Sequence, residues 1–115
     1  MLPEEDAIRL RHMLEAARDV RSFVAGRERP DLDRDRALAY AVIKGIEIIG
    51  EAATQVSAGT RAAHDDIPWR TIIGMRNRLI HAYHDMNMEL VWKAAVGDLP
   101  PLIATLERLL NDAPS

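Results

Sequence analysis

Apolar residues return every three or four positions along most of the chain, the spacing of one helix face, and no stretch alternates strictly enough to read as a strand. From Pro3 to Ala25 the stripe is Leu10, Leu14, Ala17, Val20 and Val24. Gly26 is a natural stop, and the polar run from Arg27 to Asp33, broken by Pro30, reads as a loop. Asp31 or Asp33 is placed to cap a second helix, whose stripe is Leu38, Val42, Ile46, Ile49, Ala53 and Val56, with Ala39, Ile43 and Gly50 beside it. Its polar side is narrow: Lys44, Glu47, Glu51 and Thr54. A helix this apolar is expected at the centre of a bundle or against a second subunit, with Tyr40 packed inside and Gly59 as its end.

Asp66 and Pro68 signal a third helix, from about Pro68 to about Tyr83, with Trp69, Ile72, Ile73, Leu79 and Ile80 as its apolar set. His84 to Asn87 reads as a turn, and Asn87 as the cap of a fourth helix carrying Leu90, Val91 and Val96. Pro100 and Pro101 cannot sit in a regular helix interior. Asp98 as a fresh cap, with both prolines in the following turn, predicts a kink or split there, before the closing stripe of Leu102, Ile103, Leu106, Leu109 and Leu110. The expected fold is all-α: a single domain over 1–115, an up-and-down bundle of four to five helices.

Length and composition narrow the function. A chain of 115 residues can bury roughly two-thirds of its unfolded surface, so no metal or disulfide staple is required. With no cysteine, thiol catalysis, disulfides and Cys-ligated metals fall away together. The longest apolar run, Ala37 to Ile43, is far too short to span a membrane, and the first residues are acidic where a signal peptide would be basic. A cytoplasmic protein with no membrane partner is expected. The net charge of -3 argues against a surface coated for non-specific duplex binding. The charge is uneven, however: Ile67 to His84 holds Arg70, Arg76, Arg78, His81 and His84 and no carboxylate.

Within that stretch, Arg76-Asn77-Arg78-Leu79-Ile80-His81-Ala82-Tyr83-His84 gathers the groups that hold a phosphodiester and move a proton on it. Arginine matches phosphate bidentately and keeps its charge, and histidine titrates near neutrality. It can take a proton from a ribose 2′-OH or give one to the leaving oxygen, without a metal. Asn77, His81 and His84 share a helix face, whereas Arg76 and His81 point about 140° apart on one straight helix. Arg78 is the nearer arginine to His81 within one chain. Two copies facing each other across a two-fold axis would bring either arginine to a shared cleft.

The spacing Arg76-Asn77, His81-x-Tyr83 resembles the Arg-x4-His-x-Tyr signature of the HepT-like branch of the HEPN proteins. Ile49-Gly50-Glu51-Ala52-Ala53, Ile67-Pro68-Trp69, Val91-Trp92 and Leu99-Pro100 are similar to the same branch, so the resemblance covers roughly residues 5 to 110. It implies a HEPN-like helical homodimer whose motifs meet at the interface. It further implies a metal-independent ribonuclease toxin acting on RNA and paired with a minimal nucleotidyltransferase antitoxin that transfers AMP to the motif tyrosine. By that resemblance Arg76 and His81 are the catalytic pair and Tyr83 the modified residue. Asn77, Arg78 and His84 are supporting or substrate-binding, and no cofactor or metal is implied.

Plainer readings stand beside it. His81 could serve only the helix dipole, Arg76 an ion pair, and Tyr83 the core. Asn77 could cap backbone groups, and Arg78 could steer phosphate. His81 and His84 are two ligands of a zinc site that His12 and His64 do not complete. Glu51 has two readings, an additional polar group pointing into the cleft or, preferred here, part of a solvated face with Lys44 and Glu47, and Trp69 and Trp92 are read as core or interface anchors. The competing functions are a non-catalytic HEPN module that binds a nucleotide or docks a nucleotidyltransferase, and a purely structural helical dimer.

Overall fold

The computed structural model describes residues 2–81 and 87–111, with His81 described by its backbone alone. All regular structure among the described residues is helical. The elements are α1 (Glu4–Val24), α2 (Asp31–Arg34), α3 (Arg36–Thr54), α4 (Ala58–Ala63), α5 (Trp69–His81), α6 (Met88–Lys93), a π-helical turn (Ala94–Asp98) and α7 (Leu99–Leu110). The stripes on the first two predicted helices are buried, namely all five residues read on α1 and the Leu38 to Val56 series with Ala39 and Ile43, whereas Ile80 and Val96 of the later predicted helices are exposed. The core runs as one cluster from Leu10 to Leu106.

The helices lie nearly in a row. α3 packs between α1 and α5, and α1 packs on its other side against α7. The molecule measures 44 × 35 × 19 Å, so it is thin across that row. α5 rests chiefly on α3 and lies at the edge. Close packing along α3 depends on two glycines. A Cβ on Gly45 would fall 2.3 Å from Val20 Cγ2, and one on Gly50 would fall 2.2 Å from Arg76 Cβ and 3.1 Å from the Ile72 carbonyl oxygen. Both helix neighbours therefore touch the α3 backbone directly.

Several boundaries differ from the sequence reading. The loop after α1 begins as expected, with Gly26 at φ +73°, but contains the short helix α2. α3 is capped by Asp35, whose Oδ1 accepts from Leu38 N at 3.1 Å, and not by Asp31 or Asp33. Asp31 instead accepts from Glu28 N at 2.8 Å and shapes the preceding turn. α3 stops at Thr54, and Gly59 lies within α4. The cause is Asp6 on α1, which reaches Ser57: its Oδ1 accepts from Ser57 N at 2.9 Å, and its Oδ2 from the Ser57 hydroxyl at 2.6 Å and the Thr60 hydroxyl at 2.5 Å. Ser57 in turn caps α4 through Thr60 N.

Asn87 caps α6 as expected, its side chain accepting from Glu89 N at 2.8 Å. Asp98 makes no side-chain cap. The chain meets Pro100 and Pro101 by widening into the π turn, which contains Val96 and Gly97, whose carbonyls the two prolines cannot serve in α-helical register. Within that turn the Ala95 carbonyl accepts from Arg21 of α1 at 3.1 Å. Tyr40 is not packed: it is 47% exposed, with Arg36 donating to its hydroxyl at 2.8 Å and stacking over its ring at 5.6 Å. No described helix is long and apolar enough to cross a membrane.

Candidate functional site

The described part of the chemistry-bearing stretch, Arg76 to His81, lies on α5, and α3 determines how Arg76 is presented. Because Gly50 has no side chain, the Arg76 stem lies directly on the α3 backbone. Its guanidinium then reaches the next residue of α3: Arg76 Nε donates to Glu51 Oε2 at 2.9 Å and an Nη of Arg76 to the same oxygen at 2.5 Å. The other Nη donates to Asn77 Oδ1 at 2.8 Å. Glu51 is exposed as the solvated-face reading has it, but its carboxylate is the partner of the motif arginine, which favours the alternative reading of a polar group at the site. The one available signal was its place directly after the glycine that admits α5.

Three of the five guanidinium N–H groups are engaged by these bonds, and two have no acceptor among the described residues. The Arg76 side chain is 24% exposed and that of Glu51 is 54% exposed, so the pair opens to solvent. A pair this accessible to water and salt holds a side chain in place and adds little to stability. An anion that binds the two free N–H groups meets a guanidinium already oriented, which is how arginine recognises phosphate.

α5 ends at His81, five residues beyond Arg76. On a helix that is about 7.5 Å of rise and about 140° of rotation. The side chain of His81, together with Tyr83 and His84, lies outside the described residues. Arg78, on the exposed side of α5, makes no ion pair or hydrogen bond among the described residues. Near the Arg76–Glu51 pair two apolar side chains face solvent: Ile48, one turn before Glu51, is 41% exposed, and Ile80, one turn after Arg76, is 43% exposed. Trp69 is buried with its indole N–H donating to the His64 carbonyl at 3.0 Å, and Trp92 is half-buried against the core. No group of three His, Cys, Asp or Glu side chains converges as a metal-ligand set among the described residues.

The described residues form an all-helical fold that presents a carboxylate-held Arg–Asn pair on an edge helix. The chain belongs to the ribonuclease HepT-like family, whose model matches residues 13–109. It is 32% identical over 102 residues to a protein of Caldanaerobacter subterraneus subsp. tengcongensis provisionally named an RNase, covering 89% of this chain and 91% of that one. A Methanocaldococcus jannaschii protein, also provisionally named an RNase, is 34% identical over 95 residues, covering 83% and 87%. A Thermococcus cleftensis protein named "Probable ribonuclease HepT" is 39% identical over 75 residues, covering 65% and 68%. No solved structure matches the chain significantly.

Proposed function

We propose that this protein is a metal-independent ribonuclease toxin that works as a two-fold homodimer. The observation that carries the reading is the Arg76 guanidinium, fixed by Glu51 and Asn77 with two N–H groups left for a phosphate, on the helix that ends at His81. Membership of the HepT-like family supports a ribonuclease-type activity. Arg76 holds a non-bridging phosphate oxygen and offsets the charge that grows there as the bond breaks. His81 takes the proton from the attacking ribose hydroxyl or delivers one to the departing oxygen.

The angle between the two residues argues for a dimer. On one α5 they diverge by about 140°, so a single helix does not bring both to one phosphorus. Two copies of α5 facing across a two-fold axis pair Arg76 of one protomer with the motif histidine of the other. The exposed Ile48 and Ile80 beside the site supply apolar surface for that contact.

The partner in this reading is a minimal nucleotidyltransferase antitoxin that transfers AMP from ATP to the Tyr83 hydroxyl, with pyrophosphate leaving. The adenylate would add a negative phosphodiester two residues from His81, occupying the site and repelling RNA. The test is cleavage of total RNA and purified tRNA in EDTA by protein made without a partner, beside Arg76→Ala and His81→Ala. Cleavage that survives EDTA and is lost in both variants supports the reading. An inactive, unmodified wild-type dimer would point instead to a module that binds nucleotide or docks the transferase.

A further inference from the structure

α4 and the first two turns of α5 border an open, shallow cleft, of about 590 Å³, that adjoins the motif. Asn77 lines it at one end, and Gly74, Ile73, Trp69, Arg70 and Arg61 line the rest. Its only charged lining residues are the two arginines. Neither makes an ion pair or a hydrogen bond among the described residues, and Arg61 Nε is buried with no acceptor. Two guanidiniums beside one cleft with no carboxylate among its lining residues make it a place for an anionic group, which arginine holds through its N–H donors. Arg70, Gly74 and Asn77 follow each other at four and three residues, so they share one face of α5. No side chain at Gly74 obstructs the passage between the two ends, because a Cβ there would meet nothing within 4 Å.

We infer that this cleft holds a phosphate of the RNA backbone flanking the scissile one, with Arg61 and Arg70 as its ligands. The inference rests on the ribonuclease reading and extends it to substrate positioning. Arg70 and Asn77 are separated by about 10.5 Å of helix, so the two phosphates belong to neighbouring parts of one strand. The contact is to backbone and not to bases. Trp69, the aromatic residue of the cleft, is 9% exposed with its N–H already bonded, and therefore offers no stacking face. The cleft accordingly holds a strand in place without selecting its sequence.

The experiment measures binding of a single-stranded oligoribonucleotide to His81→Ala protein, which binds without cutting, over a range of KCl concentrations. Arg61→Gln and Arg70→Gln are each added, with Arg34→Gln on α2 as a control and circular dichroism to verify folding. Each loss of a phosphate contact should reduce the slope of log K against log salt by about 0.7, while Arg34→Gln leaves it unchanged. Arg61→Lys should restore much of the slope. Unchanged slopes in both glutamine variants, with a salt-dependent parent, overturn the inference and leave the ribonuclease reading standing. So does loss of AMP binding with RNA slopes intact, which would make the cleft a mononucleotide site. RNA that neither binds the parent nor is cut by wild type overturns both.

Discussion

Glu51 and Arg76, twenty-five residues apart in sequence, are joined through two N–H donors on one carboxylate oxygen, and Gly50 is what lets them meet. The carboxylate orients the guanidinium without closing it to an incoming phosphate. Glu51→Gln should therefore lower kcat for RNA cleavage by about ten- to a hundredfold through misplacement of Arg76. Stability should change little, because the pair is exposed. Steady-state kinetics beside a thermal melt checks this, and an unchanged kcat would contradict it.

Gly50→Ala places a methyl group against the Arg76 stem and the Ile72 carbonyl. Since the nearest atoms include backbone, α3 and α5 must separate, at a cost of about 1–3 kcal/mol. Urea titration should show that loss, and cleavage should fall further than the folded fraction explains. Gly59→Ala, where a Cβ meets nothing within 4 Å, should not lower stability.

Asp6 gives a pH signature. The Ser57 hydroxyl, the Thr60 hydroxyl and the Ser57 N–H together hold its carboxyl below the ordinary carboxylate range. A group with a lowered folded pKa stabilises the fold at pH values above its unfolded pKa, and that stability is lost as pH falls through the folded one. The stability advantage of wild type over Asp6→Asn should thus be constant near neutrality and shrink below about pH 4. Asp35, lowered chiefly by the Leu38 N–H, titrates in both proteins and drops out of the difference. Paired urea melts from pH 7 to pH 3 measure it, and a difference that does not change with pH would refute the assignment.

Much of this architecture can be read from periodicity, since every residue of the stripes read on the first two predicted helices is buried, although the core also takes in Met13, Ala16 and Ala52. Periodicity assigns a face to the interior but does not say what a polar residue on the other face will meet. Glu51 looks solvated until α5 is laid against Gly50, and Asp6 looks like an ordinary first-turn acid until Ser57 is brought to it. Tyr40 misled because the surrounding residues are apolar, yet its own helical position faces outward. The Arg76 and Asn77 site is legible as chemistry, while its geometry comes from packing between α3 and α5.

Ile80 should matter more to assembly than to folding, because it is 43% exposed on the motif helix. Ile80→Asp would bring two carboxylates together at the proposed two-fold contact. Sedimentation should show the dimer dissociation constant raised at least about tenfold, with cleavage lost in proportion to the dimer. Unaltered self-association would place the contact elsewhere.

The claim that the site is shared between protomers is tested most directly by mixing two inactive variants. Arg76→Ala and His81→Ala are each expected to be dead. Co-refolded in equal amounts, half of the dimers should be mixed, and each of these carries one intact Arg76–His81 site, giving about a quarter of wild-type activity. A mixture as inactive as its parents, with mixed dimers shown to form, would contradict the shared site.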